Sequence, residues 1–145
     1  QAEQERLRKL EEATVLRVRL GDSSSEKKFN FQAGENITLQ HVLGHGSRRG
    51  KTWFSVELPL EGLKQPTLHV TYYSEERLRK CNFALFVDEE LICREEINRV
   101  PSPAFIEKQY QLPEKLTRGK KKITVKFQAE SGSEIAPVVL IRLLQ

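Results

Sequence analysis

From Thr14 onward the apolar residues fall on alternate positions, the spacing of half-buried strands rather than of helices. Leu16, Val18 and Leu20 alternate with Arg17 and Arg19, so a strand there has one apolar and one charged face. Phe29 and Phe31 repeat the spacing, and residues 37–39 form another short candidate. In residues 53–58, Phe54, Val56 and Leu58 share one face while Trp53, Ser55 and Glu57 share the other. Residues 67–73 set Leu68, Val70 and Tyr72 on one side and Tyr73 on the other. Residues 81–87 and 91–97 flank the acidic tip Asp88-Glu89-Glu90, which predicts a hairpin. Pairing Val87 with Glu90 places Cys81 opposite Glu96 and Cys93 opposite Ala84, too far apart to bridge. Weaker alternation covers 105–112, and clean alternation covers 123–127. Residues 138–144 are apolar on both faces, as in a covered strand.

Turn-forming residues separate these segments: 21–26 (GDSSSE), Pro59 to Pro66, 116–120 and 131–133. Residues 41–51 (HVLGHGSRRGK) read as a Gly- and cation-rich loop. Eight or nine short strands with no helical period between them predict an all-β sandwich over residues 14–145. Residues 1–13 are good helix formers, but Leu7, Leu10 and Ala13 make a stripe too narrow for a core helix. This segment is expected to be a connector from a preceding domain, helical or disordered. A chain that begins with Gln1 is expected to be an excised piece.

Composition narrows the chemistry. The 145 residues fit one domain, and 38% hydrophobic content is enough for one core. The net charge of +4, from 24 Lys+Arg against 20 Asp+Glu, sits mainly in 77–80 and 118–122, with Arg48, Arg49 and Lys51 behind them. Solvated turns account for these runs, and they lack the interleaved aromatics of a nucleic-acid surface, so no nucleic-acid partner is expected. No run approaches the ~18 apolar residues of a spanning helix, and no membrane partner is expected. Two cysteines exclude a disulfide scaffold and a four-cysteine zinc site, and both read as small apolar side chains.

No catalytic constellation stands out. Glu75/Glu76, Glu89/Glu90 and Glu95/Glu96 are sequence neighbours, which on a strand point to opposite faces. A thiol–imidazole pair of Cys81 or Cys93 with His69 would have to form from apolar hairpin strands, and an inert role is expected for both thiols. The chain is therefore read as non-enzymatic. Carbohydrate binding is the sharper reading, since sugars are held by an aromatic plane and polar groups matched to their hydroxyls. The candidates are Trp53, Tyr73, His45, Arg48, Arg49 and Lys51, which join two aromatics on the non-core faces to the cationic loop. The alternative, that Trp53 packs beneath its own loop, stays open. Asp22, Ser23 and Glu26 are the one suggestive oxygen-rich group for calcium, and a plain turn explains them equally well; no cofactor is expected.

Five segments in order, 53–58 (WFSVEL), 68–73 (LHVTYY), 82–92 (NFALFVDEELI), 110–120 (YQLPEKLTRGK) and 123–129 (ITVKFQA), carry a closer likeness. From about Val15 to Leu144 the chain resembles the C-terminal β-sandwich domain of bacterial glycoside hydrolases of the β-L-arabinofuranosidase type. The resemblance implies a galactose-binding-like jelly roll with no catalytic residues, whose parent enzyme carries its active site upstream in a helical barrel. It further implies a periplasmic or secreted setting and a partner in the catalytic domain of the same parent chain, which the sandwich packs against and stabilises. Weak contact with plant-type or other glycans is a possible addition. The alternative is an independent carbohydrate-binding module that targets polysaccharide; a protein- or nucleic-acid-binding sandwich using the basic loops ranks last. The chain departs from the family at Tyr72-Tyr73-Ser74, where Tyr-Trp-Gly is usual, and at Ile135-Ala136-Pro137, where small Gly-rich residues are usual. It also has Asp88-Glu89 where Asp-Gly is usual, so a longer or different tip is expected, because a primed two-residue turn needs φ > 0 at both positions.

Overall fold

The computed structural model describes all 145 residues. In chain order the elements are α1 (Ala2–Ala13), β1 (Thr14–Arg19), α2 (Ser23–Lys28), β2 (Gln32–Ala33), β3 (Thr38–Val42), β4 (His45–Gly50), β5 (Trp53–Pro59), β6 (Thr67–Ser74), β7 (Cys81–Val87), β8 (Glu90–Ile97), β9 (Ala104–Gln111), α3 (Glu114–Thr117), β10 (Lys122–Ala129) and β11 (Ile135–Leu144). They form two antiparallel sheets: a six-stranded one ordered β3-β4-β11-β6-β9 with β1 also on β11, and a five-stranded one ordered β2-β5-β10-β7-β8. The expected all-β sandwich with a short N-terminal helix is the fold observed.

The alternation read from the sequence puts the core where it was expected. Phe54, Val56 and Leu58 of β5, Leu68, Val70 and Tyr72 of β6, and Ile123, Val125 and Phe127 of β10 all meet between the sheets with no exposed surface. Phe54 stacks on Phe127 at 5.1 Å between ring centroids, and Tyr72 leans on Phe83 at 5.4 Å. Burial pushes the Tyr72 hydroxyl well above its ordinary pKa, and burial also raises Tyr110, so both stay protonated. Tyr110 donates to Glu95 Oε2 at 2.7 Å, which leaves its oxygen to accept from Tyr72 at 2.8 Å. That chain satisfies both tyrosine hydroxyls of the core.

Several local expectations are corrected. Residues 41–51 are a hairpin instead of a loop: β3 and β4 pair from Thr38↔Arg49 to Val42↔His45 around a Leu43-Gly44 tip with φ of 49° and 79°. Within the 21–26 turn cluster, Asp22 starts α2 by accepting a hydrogen bond from Ser25 N at 3.0 Å. The β7–β8 hairpin does pair Val87 with Glu90, but a bulge between Leu85 and Phe86 shifts the rest by one residue. Cys81 therefore faces Ile97, and Cys93 faces Leu85. Burial pushes both thiols up to about 11, so they are protonated apolar side chains at neutral pH.

The Asp88-Glu89 tip is a two-residue turn with φ of 49° and 70°, without the glycine such a turn favours. Asp88 offsets the strain: its Oδ1 accepts from Thr124 N at 2.8 Å and its Oδ2 from Lys120 Nζ at 2.7 Å. Its own N–H donates to Thr124 O.

One irregularity shapes the surface. β11 pairs with β4 through Ile135 and Val138, then with β1 from Leu140 to Leu144, so it changes neighbour midway along one edge. Its register against β6 also shifts between Val138 and Leu140. Val138 and Ile141 point into the core, while both residues between them, Val139 and Leu140, pack on the outer side with Val42 and Tyr73.

Candidate functional site

The outer face of the six-stranded sheet holds a groove of about 790 Å³. Val139, Leu140 and Arg142 of β11 and Thr71 of β6 make its floor. The β3–β4 hairpin supplies His41, Gly44, His45 and Gly46 on one side, and Arg19 to Asp22 continue that side. Leu7 of α1 and Phe105 of β9 complete the rim. The hairpin and the 19–22 turn pack closely: a Cβ on Gly46 would stand 2.9 Å from Leu20 O, and one on Gly21 (φ 81°) would stand 3.0 Å from Gly46 Cα. Only glycine at both positions allows this approach.

Phe105 keeps 39% of its surface exposed, and the His45 ring meets it edge-on at 5.5 Å. Tyr73 approaches Phe105 from below at 6.4 Å, itself buried, with its hydroxyl donating to Glu75 at 3.1 Å. Neither His41 nor His45 spends a ring nitrogen on a protein partner, and the Arg19 guanidinium makes no hydrogen bond or ion pair. An exposed aromatic face with a free imidazole against it, in a groove that a free guanidinium also lines, suits a sugar ring and its hydroxyls.

α1 bounds the groove through ion pairs and buries no residue of its own. Arg6 bridges to Glu107 at 2.9 Å, and Arg142 Nη1 donates to Glu11 at 2.6 Å and to Thr14 Oγ1 at 2.9 Å. Beneath it His69, 2% exposed, shares Glu107 at 2.9 Å. Burial works to raise the Glu107 pKa, but the hydrogen bonds from Arg6 and His69 outweigh it and hold the carboxyl below its ordinary value. His69 Nδ1 and Arg142 Nε are buried without partners. His69 thus lies on the six-stranded sheet, and both cysteines lie on strands of the five-stranded sheet, so the thiol–imidazole pairing considered from the sequence does not form.

The six residues singled out from the sequence do not converge. His45 and Tyr73 come together through Phe105. Arg48 is half-buried, forked onto Glu26 at 2.9 Å and stacked 4.9 Å over the Phe31 ring. Arg49 is tied to Glu134 at 2.5 Å and to Gln40 at 3.1 Å. Both arginines therefore brace the sheet. Lys51 follows the far end of β4 from His45 and is exposed. Trp53 belongs to the other sheet, half-buried against Gly34, where an added Cβ would meet the indole Nε1 at 2.7 Å. The Asp22, Ser23 and Glu26 group has its carboxylates engaged by N–H donors: Asp22 by Ser25 N, and Glu26 by Gly21 N and Arg48. No three His, Cys, Asp or Glu side chains gather at metal-binding distance.

Phe105, His41 and Arg19 escaped the sequence reading. A signal for Phe105 was present: with Tyr110 turned inward, Phe105 shares the outward parity with Glu107, Gln109 and Gln111, a lone aromatic on a polar face. Nothing local marks His41 or Arg19, because their neighbours in the groove come from distant strands.

Comparison of the folded chain with solved structures finds the same sandwich in carbohydrate-binding modules. A family 35 module from an environmental isolate is 13% identical, with a TM-score of 0.64 over 90% of this chain and 93% of that one. The family 35 module from Cellvibrio japonicus is 10% identical, with a TM-score of 0.63 over 90% and 93%. An exo-β-1,3-galactanase from Phanerochaete chrysosporium is 10% identical, with a TM-score of 0.58 over 90% of this chain but 29% of that one. At such identities the likeness is one of fold. No curated protein matches the sequence. Residues 9–144, nearly the whole sandwich and the end of α1, match a single family, and the chain belongs to it: the family of unknown function DUF6805.

Proposed function

We propose that this chain is a non-catalytic carbohydrate-binding sandwich that serves as an accessory domain of a glycoside hydrolase, with the six-stranded-sheet groove as its sugar site. The observation that carries the reading is the half-exposed Phe105 face with His45 edge-on at the rim of a groove of about 790 Å³. That volume falls in the range of ligand-sized clefts. Phe105 supplies the plane for a sugar's C–H face, and His41, His45 and Arg19 supply hydroxyl partners. The galactanase, in which this fold accounts for under a third of the chain, supports an accessory placement. The resemblance to β-L-arabinofuranosidase-type enzymes supports a bacterial, extracytoplasmic parent whose catalytic domain the sandwich packs against. α1, which buries none of its residues, then serves as the connector to that domain, and Leu43, 53% exposed at the hairpin tip, is available for the contact.

Calorimetric titration with arabinan, pectic and hemicellulosic oligosaccharides tests the sugar site. Phe105→Ala and His45→Ala are expected to weaken binding about tenfold or more without unfolding the sandwich. Trp53→Ala, on the other sheet, is expected to leave affinity unchanged. Binding that follows Trp53 and ignores Phe105 would move the site to the five-stranded face, and no binding across the panel would end the reading.

A further inference from the structure

Charge in the groove points to a narrower ligand class. Of the arginines without an ion pair, Arg77, Arg79 and Arg99 lie elsewhere, and Arg19 alone lines the groove. Its side chain projects from the outward side of β1, exposed, with all five donors free. Arg142 adds a second guanidinium on the floor. Its Nη1 is taken by Glu11 and Thr14, its Nε is buried without a partner, and its Nη2 makes no protein hydrogen bond. Two carboxylates stand near these two cations: Asp22 on the lining, which already accepts the Ser25 N–H at the start of α2, and Glu11 of α1, which is bonded to Arg142 and Arg17 and is also felt electrostatically by Arg19. Arg6, Arg8, Arg94 and Arg118 are matched to glutamates, and of the four arginines without an ion pair Arg19 is the one that lines the same groove as the exposed Phe105.

We infer that the groove takes an anionic saccharide, its aromatic face on Phe105 and its negative group on Arg19. This rests on the sugar-site reading above. A guanidinium suits planar carboxylates and tetrahedral sulfate esters alike, since both accept its paired N–H groups. Either group gives a charge-assisted hydrogen bond that a neutral hydroxyl does not, and its strength falls with added salt.

The test titrates the full chain with three probes: an oligogalacturonate, a heparin-derived tetrasaccharide and a neutral arabino-oligosaccharide. One of the two anionic probes is expected to bind at least about tenfold more tightly than the neutral one and to weaken between 50 and 300 mM NaCl. These salt points are set as roughly a twofold change in screening length. Arg19→Gln is expected to remove that preference, again by about tenfold. Lys122→Gln removes the same charge from the opposite face and is expected to change nothing. Preference for the oligogalacturonate assigns the site to carboxylates, and preference for the heparin fragment assigns it to sulfate esters. If the neutral probe binds equally well through Phe105, with no effect of salt or Arg19→Gln, the charge inference fails and the sugar site stands. If no probe binds, both fail.

Discussion

The two outer faces of the sandwich are built from the same alternating strands and differ in regularity. On the five-stranded side, β5, β10 and β7 run in unbroken register from Lys122↔Pro59 to Gln128↔Trp53 and from Val125↔Val87 to Ala129↔Phe83. Its cations are matched: Lys122 to Glu57, Lys126 to Glu89 and Arg94 to Glu130, all at 2.9–3.1 Å. On the six-stranded side, β11 shifts register where it exchanges β4 for β1, two apolar residues turn outward together, and a helix lies across part of the face. The five-stranded face has its one bulge at the β7–β8 edge and a smaller hollow of about 460 Å³ around Phe86; the six-stranded face has the larger groove, with an exposed aromatic and an arginine outside any ion pair. A register break is what lets a sheet surface become concave, because uniform pleating leaves side chains of even height.

The strongest way to break this contrast is to fill the glycine contact that closes the groove wall. Gly46→Val places branched carbon against Leu20 O and Gly21, where even a Cβ is too close, and is expected to cost about 1–3 kcal/mol in chemical denaturation. It should also abolish saccharide binding. Gly44→Ala, at the hairpin tip with φ 79° and open space around it, carries only the left-handed penalty and is expected to cost about 1 kcal/mol.

Next in size is the polar layer beneath α1. Glu107→Ala strips His69 Nε2 of its partner while Nδ1 already lacks one, and is expected to destabilise by about 1–2 kcal/mol in the same assay. Acid should loosen the same layer. Glu107 and Glu11 both have pKa values depressed in the folded state, Glu11 chiefly by its hydrogen bond from Arg142. Their contribution is therefore complete above the unfolded carboxylate value of about 4.3 and is lost as pH falls through the lower folded values. Hydrogen exchange of α1 is expected to accelerate below about pH 4 while the core strands stay protected. Equal loss of protection in both would show that the helix is not separately held.

The smallest effect is expected on the regular face. Lys122→Ala, which removes one exposed ion pair, should change stability by no more than about 0.5 kcal/mol and leave ligand affinity as it was. A large loss there would mean that the five-stranded face is covered by something in the folded protein.

The period-two pattern determined much on its own. Phe54, Val56, Leu58, Tyr72 and Phe127 could be assigned to the core because a strand turns alternate side chains to opposite faces, a rule that needs only neighbours in sequence. The resemblance of residues 15–144 pointed to the same sandwich. Local reasoning failed where a residue's partner is far along the chain. Arg48 and Arg49 looked like free loop cations until Glu26 and Glu134 were brought against them, and Asp88-Glu89 looked unfit for a tight turn until Thr124 and Lys120 supported it.

The groove belongs wholly to that second kind. His45 and Phe105 are sixty residues apart, and Arg19 reaches the same site from near the start of the chain. Side-chain parity is set one residue at a time by backbone geometry, so the sequence determined which faces are buried. Which outward residues share a site depends on strand order and on where the register breaks, and those follow from the packing of the whole sheet.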